Sequence, residues 1–183
     1  MYKLLTILII FFLSMTPEAA AGELSRNYDS LMTVSSFSYE NSINSGNRTV
    51  VYHGSDRSRG EMILQEASNI ILLLPQFFPE LDTKCKDKVL HIYQISHSTL
   101  NNRTTMSFLD WALWGNNDIT GVYDSRSSPP GESAIFITER DGGNRELSLI
   151  SHEMTHYWQD TMCKKVNESD AYRFQNFFIE NRN

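Results

Sequence analysis

A short segment near the C-terminal end carries the side chains best suited to chemistry. It reads SHEMTHYWQD and contains the motif H-E-x-x-H at His152, Glu153 and His156. On a helix, residues four apart lie one turn above each other, so both imidazoles can point at one spot and hold a single Zn²⁺ ion. Glu153 is rotated by about 100° from His152, so it can reach a water molecule beside the ion without being a ligand. The pattern therefore indicates metal-assisted hydrolysis, in which the ion acidifies water and Glu153 acts as the general base.

The motif is specific for a chain of this composition. With five histidines in the sequence, roughly 0.01 copies are expected by chance. The surrounding stretch also has an apolar stripe at helical spacing, turned away from the two histidines. Its members are Leu147, Ile150, Met154 and Trp158. We therefore expect a helix that packs on its apolar side and turns its polar side towards a cleft.

Two histidines need a third ligand, and the best candidate is Glu168. A helix that continues past His156 rises by about 1.5 Å per residue, so the chain must turn and come back to the metal. Val166 and Asn167 are suitable turn residues, and Glu168 would open the returning helix. Asp170 is the alternative ligand if the first helix runs further before it turns. For either acid, a helix-capping role is the other interpretation.

The remaining pattern predicts a small α+β domain with a mixed or antiparallel sheet. Residues 22–59 read as a loosely ordered lead-in that contains one strand. We predict strands at 48–53, 88–96, 121–123 and 134–138, and helices at 61–74, 145–164 and 168–180. Pro75 is expected to stop the first helix. Residues 105–114 fit either a short helix or an aromatic-rich loop.

The first 21 residues read as a secretory signal peptide. Lys3 gives a basic start, residues 4–15 form an apolar core, and Ala19 to Ala21 provide a small-residue cleavage signal. Twelve mostly apolar residues are fewer than the roughly 20 that a spanning helix needs. We therefore expect residues 22–183 to be a single exported domain, periplasmic or extracellular, and a monomer.

Charge and cysteine usage narrow the function further. The formal net charge is −6, and an acidic chain without a basic stripe is a poor binder of nucleic acid or of anionic membrane. The two cysteines are Cys85 and Cys163. In an oxidising compartment they are expected to form a disulfide, which would stabilise the fold by about 2–4 kcal/mol. Two free buried thiols are the alternative.

The C-terminal part resembles the gluzincins, the thermolysin-like division of the zincin metallopeptidases. In that family a glutamate in an E-x-x-A-[D/N] segment of the next helix completes the H-E-x-x-H site. This chain has Glu168, Ala171 and then Tyr172 at the corresponding positions, so Tyr172 stands where an acid or amide is usual, and the spacing from His156 to Glu168 is short for the family. It is still more similar to small exported bacterial proteins with an H-E-[MLV]-x-H, Cys, E-x-x-A-Y-x-x-Q ending, matched here as far as Gln175.

The resemblance covers about residues 134–178. It implies a minimal zincin-like fold with one Zn²⁺, in which Glu168 is the third ligand and Glu153 the general base. It also implies that strand 134–138 is the sheet edge that lines the substrate cleft.

The expected function is therefore that of a secreted zinc metallopeptidase, a hydrolase acting on a peptide or protein substrate. The alternative is a catalytically silent binding or structural protein of the cell envelope that keeps the zincin fold. Four side chains are candidates by type to stabilise an oxyanion or support the ligands. These are Tyr123, Tyr157, Tyr172 and Arg173.

Overall fold

The described chain is built from five strands and three helices. The computed structural model describes residues 37–79, 89–96, 98, 100, 121–124, 132–138 and 144–182. The strands are β1 (Tyr39–Ser45), β2 (Arg48–Gly54), β3 (Val89–Ile95), β4 (Gly121–Asp124) and β5 (Glu132–Thr138), and the helices are α1 (Arg57–Phe77), α2 (Asn144–Thr161) and α3 (Glu168–Glu180). One mixed sheet with three helices confirms the predicted α+β class.

The sheet has the strand order β1-β2-β3-β5-β4. Strands β2, β3 and β5 run parallel, while β1 and β4 run antiparallel to their neighbours β2 and β5. The cleft-lining edge implied at 134–138 is therefore wrong, because β5 lies between β3 and β4. The run from Ala134 to Thr138 is buried throughout, as expected of an inner strand covered on both faces. Among the described strands, the edge on this side is β4.

The first described residues are more ordered than the sequence indicated. A loosely ordered lead-in was expected up to residue 59, but from Tyr39 the chain forms a hairpin of β1 and β2. The strand predicted at 48–53 is confirmed as β2. Strand β1 was missed because its sequence, YENSINS, is polar and mostly solvent-exposed, and β-propensity scales reward apolar, half-buried positions.

Helix α1 starts at a capping residue and passes through a proline. The Asp56 side chain accepts a hydrogen bond from the backbone N–H of Arg59 at 3.0 Å, which satisfies one of the free donors of the first turn. Pro75 was predicted to stop the helix, but α1 continues to Phe77. In the last turn the missing N–H of Pro75 removes only one helical hydrogen bond, the one that Ile71 would accept.

Most of the core lies between the sheet and the helices. Tyr52, Ile63, Ile92, Ile135 and Met154 are among its fully buried side chains. A smaller apolar cluster with Tyr93 and Phe136 occupies the opposite face of the sheet. The core fixes α2 against the sheet and thereby positions the H-E-x-x-H motif.

Two histidines lie end to end on the opposite face of the sheet. Nε2 of His53 contacts Nδ1 of His91 at 2.9 Å, and each outer nitrogen faces a carboxylate, Glu40 at 3.1 Å and Glu132 at 3.4 Å. Burial lowers the pKa of His53, with a further lowering by His91 that Glu40 opposes. Burial also lowers the pKa of His91, against the opposing charges of Glu132 and Glu40. Both histidines therefore resist protonation in the folded chain.

Several predicted features lie outside the described residues. They are the signal peptide at 1–21, the segment 105–114 and Cys85, so the disulfide with Cys163 stays a prediction. Among the helices of the described part of the chain, none combines the length and apolar character needed to cross a membrane.

Candidate metal centre

Helix α2 places the two motif histidines side by side. Leu147, Ile150 and Met154 bury the opposite side of the helix in the core, as the sequence predicted. The Nε2 atoms of His152 and His156 lie 3.2 Å apart. The side chains are only 10% and 5% exposed, so both imidazoles are held by the packing of α2.

A tight reversal after α2 brings the chain back to these histidines. Cys163 has a φ of 54°, a left-handed conformation that commonly ends helices. The backbone carbonyl of Gln159 accepts the N–H of Lys164 at 2.9 Å. Its side-chain Oε1 accepts the N–H of Asn167, also at 2.9 Å. Helix α2 therefore ends at Thr161, three residues before the predicted 164, and Gln159 fastens both ends of the turn.

Helix α3 then presents Glu168 to the histidines. Asn167 caps the helix by accepting the N–H of Ser169 at 2.9 Å, which places Glu168 in the first turn. Its Oε2 lies 3.1 Å from Nε2 of His152, and its Oε1 lies 3.2 Å from Nε2 of His156. These hydrogen bonds lower the pKa of the Glu168 carboxyl well below its usual range, against the opposing effect of burial.

The three donors fit a zinc ion. His152, His156 and Glu168 each offer one ligand atom, all within 4.8 Å of one another. With bonds of about 2.0–2.1 Å, tetrahedral coordination places ligand atoms about 3.3 Å apart. The two histidine nitrogens lie 3.2 Å apart, and each lies 3.1 to 3.2 Å from a different oxygen of Glu168, close to that value. Two imidazoles and one carboxylate form a donor set that zinc commonly takes at catalytic sites. This is the arrangement expected when a fourth position is left for water or substrate.

Glu153 lies beside the ligands but does not belong to their group. It is 7% exposed. Burial raises the pKa of its carboxyl, the charges of His156 and His152 oppose this rise, and Glu168 adds to it; the backbone N–H of Tyr123 donates a hydrogen bond to the carboxylate. Burial therefore makes this carboxyl easier to protonate than an exposed one, which suits a group that accepts and releases a proton.

The pKa of His152 reflects the same cluster. Burial alone would lower it, but the hydrogen bond that His152 donates to Glu168, the charges of Glu153 and Glu168, and the hydrogen bond with Gln175 raise it overall. In the metal-free protein the positive charge on this imidazole is thus stabilised by the carboxylates that surround it.

An open cleft of about 410 Å³ reaches the site. Gly121 of the edge strand β4 and Tyr172 of α3 line it, together with His152 and Glu153. The Tyr172 ring meets the His152 ring edge to face, with centroids 4.6 Å apart, and is 49% exposed. A Cβ atom on Gly121 would lie 2.6 Å from Cδ1 of Leu149. A glycine at this position therefore lets β4 pass close to α2.

The structure distinguishes between Glu168 and Asp170, the two candidates for the third ligand. Oδ1 of Asp170 lies 3.1 Å from a guanidinium nitrogen of Arg173, and its Oδ2 lies 3.5 Å from Nε2 of Gln159. Asp170 therefore supports the turn and is not placed as the third ligand. Arg173 pairs with it and is not directed at the metal centre.

The hydroxyls of two other tyrosine candidates do not line the cleft. Tyr157 is fully buried in the core, with the guanidinium of Arg48 5.4 Å from its ring centroid. Successive residues of a helix are rotated by about 100°, so the side chain of Tyr157 points to another side of α2 than that of His156. The Tyr123 hydroxyl donates to Asp160 at 2.9 Å. Only Tyr172 among the four candidates lies in the cleft.

Sequence reasoning missed the polar residues that hold the ligands in place. Gln175 entered only as part of a family pattern, yet its Oε1 lies 3.0 Å from Nδ1 of His152. Its Nε2 donates to the hydroxyl of Ser148 at 2.6 Å. The available signal was spacing, because Gln175 lies two turns after Glu168 and Ser148 one turn before His152.

No protein-family model matches the chain, and no curated protein matches it. We therefore infer its function from the side chains of the site.

Proposed function

We propose that the chain is a secreted zinc metallopeptidase that hydrolyses peptide bonds with water. The observation that carries the proposal is the triangle of His152, His156 and Glu168, with the buried carboxyl of Glu153 beside it and an open cleft in front. The sequence resemblance to the gluzincins supports the same assignment. A purely structural zinc site would be closed by four protein ligands, whereas three are grouped among the described residues.

The chemistry divides between the ion and the chain. A zinc ion bound here would supply Lewis acidity, which lowers the pKa of water and polarises a peptide carbonyl. Glu153 would take the proton of the attacking water on its carboxylate and deliver it to the leaving amine. The backbone N–H of Tyr123 holds this carboxylate in place. The exposed Tyr172 hydroxyl, at the cleft, is the proposed donor to the developing oxyanion.

The edge strand gives the cleft a place for an extended substrate. Strand β4 is the last strand on this side of the described sheet, and Gly121 lines the cleft next to Glu153. An extended peptide can add to a sheet edge through its main-chain hydrogen bonds. We therefore propose that the substrate lies along β4, with its scissile bond in front of Glu153.

The proposal also includes export and a disulfide. A signal peptide at 1–21 would send the chain out of the cytoplasm, where Cys85 and Cys163 can oxidise. The proposed site of action is thus the periplasm or the extracellular medium.

The test is zinc content together with hydrolysis of an unfolded protein substrate, measured on the purified protein and on Glu153→Gln. The variant should keep its zinc and lose activity by about 10²- to 10⁴-fold, the usual contribution of a general base. His156→Ala should lose the zinc as well. A protein that purifies and refolds without binding zinc would overturn the assignment. Stoichiometric zinc with no hydrolysis of any peptide in a library would identify the silent binding protein instead.

A further inference from the structure

One polar chain connects a motif histidine to the following helix. Oε1 of Gln175 lies 3.0 Å from Nδ1 of His152, on the ring nitrogen opposite the one that faces Glu168. Gln175 and Glu168 are seven residues apart on α3, so the same face of that helix carries both. Helix α3 therefore supplies both the proposed ligand Glu168 and the hydrogen-bond partner of His152, Gln175.

The contact with Gln175 determines which nitrogen of a neutral His152 carries the proton. An imidazole that binds a cation through Nε2 is neutral at that atom and carries its proton on Nδ1. That proton needs an acceptor, and Oε1 of Gln175 provides one. A neutral histidine with the opposite tautomer would place two acceptors against each other. The contact therefore favours the tautomer that leaves Nε2 free for a metal.

The glutamine amide is held from its other end by Ser148. Nε2 of Gln175 donates to the Ser148 hydroxyl at 2.6 Å, and Oε1 faces His152. Ser148 precedes His152 by one turn of α2. The path from Ser148 through Gln175 to His152 thus leaves α2, crosses to α3 and returns.

The second histidine has no comparable support among the described residues. Nδ1 of His156 is buried and makes no hydrogen bond there. Within the described chain, the contact with Gln175 is thus the one hydrogen bond to the Nδ1 atom of either imidazole. Partners of this kind set ring orientation and ligand strength at metal sites.

We propose that Gln175 is the positioning residue of the metal centre, acting on zinc through His152. This inference rests on the proposed zinc site and deepens it. Gln175 also lines the cleft, but in this role it acts through His152. It holds the imidazole in the tautomer and direction that the ion requires.

The experiment measures Zn²⁺ affinity of the metal-free protein by competition with a chromogenic chelator. Gln175→Leu keeps the volume and removes the acceptor, so its zinc affinity should fall by about 10- to 100-fold. Gln175→Glu restores an acceptor for the Nδ1 proton, and Ser148 can donate to it, so its affinity should return at least to the parent value. Asn176→Leu is the matched control, because it makes the same change at the next, exposed position of α3 and should alter nothing.

A second readout separates positioning from folding. The visible spectrum of the Co²⁺-loaded protein reports ligand geometry, and it should change in Gln175→Leu and be restored in Gln175→Glu. Unchanged zinc affinity and an unchanged Co²⁺ spectrum in Gln175→Leu would overturn the role of Gln175 while leaving the zinc site intact. A Glu variant that folds but binds zinc as weakly as the Leu variant would overturn it too. A parent protein that binds no zinc would overturn both proposals.

Discussion

Replacing Glu168 by alanine tests which carboxylate is the third ligand. The sequence left two carboxylates open, and the structure points Glu168 at the histidines and Asp170 at Arg173. Both acids lie in the first turn of α3. Glu168→Ala and Asp170→Ala therefore remove the same charge from the same helix terminus and differ only in what each side chain touches.

The expected magnitude follows from the contacts. Both oxygens of Glu168 lie within 3.2 Å of the histidine nitrogens, so its loss removes a ligand and the only negative charge in the ligand group. Partners that merely orient a ligand are worth about 10- to 100-fold in metal affinity. Loss of the ligand itself should exceed this range, which is more than about 2.7 kcal/mol of binding free energy. Asp170→Ala should leave zinc affinity unchanged.

The assay is chelator competition for Zn²⁺, with thermal unfolding of the metal-free proteins as the control for folding. Each variant loses one acid that interacts with the helix dipole, worth about 0.3–1 kcal/mol. Glu168→Ala also loses the contacts with the two histidines, so its metal-free form should be the less stable of the two, and both variants should still be folded at the assay temperature. Equal losses of zinc affinity in the two variants would refute the ligand assignment. A greater loss in Asp170→Ala would make Asp170 the ligand.

Two further predictions concern the scaffold. Glu146 is 1% exposed and pairs with Arg59 at 2.7 Å, so Arg59→Met should lower the urea-unfolding free energy by about 3 kcal/mol, the cost of leaving a buried charge unpaired. The control Arg57→Met, which removes an exposed ion pair, should change little, and equal losses would contradict the argument. Burial lowers the pKa of His53 and His91 below 6.5. As the pH falls, these two histidines are therefore protonated at a higher pH in the unfolded chain than in the folded chain. Stability should therefore be complete above about pH 6.5 and fall as the pH drops towards the folded-state values. A double His53→Gln, His91→Gln variant should lose less unfolding free energy between about pH 7.5 and 5, and an unchanged pH dependence would disprove this account.

Local rules were sufficient to predict the part of the site that lies on one helix. The spacing of His152 and His156 and the apolar stripe of α2 depend only on helical geometry. The structure has both features. The class of the fold followed from the order of periodic segments, because four of the five described strands and the three described helices each showed a recognisable local pattern.

The sequence predicted that the chain turns back and brings Glu168 to the histidines, but it did not show where the turn lies. It depends on a left-handed turn at Cys163, where a glycine would be the usual signal, and on the side chain of Gln159, which accepts the N–H of Asn167 across the turn. Neither residue type marks a turn by itself. The helix was therefore predicted three residues too long, and Asp170 could not be excluded.

The edge of the sheet was misassigned for a related reason. Sequence patterns identified 121–123 and 134–138 as strands, but the strand order is set by tertiary packing. An apolar run such as that of β5 is typical of a strand covered on both faces, which argued for an inner position. Gly121 was read only as part of a short strand, whereas its missing side chain allows β4 to approach Leu149.

Catalysis and metal storage make different demands on Glu153. Its carboxyl is 7% exposed and its pKa is raised by burial. A buried carboxyl whose pKa is raised on folding destabilises the folded state when it is ionised. The side chain belongs to no ligand group, so a protein that only stored zinc would keep its metal and gain stability with glutamine there. Groups that cost stability in this way are concentrated at functional sites. The position of Glu153, held by the backbone of the edge strand in front of an open cleft, therefore favours a hydrolase over a silent zinc-binding protein.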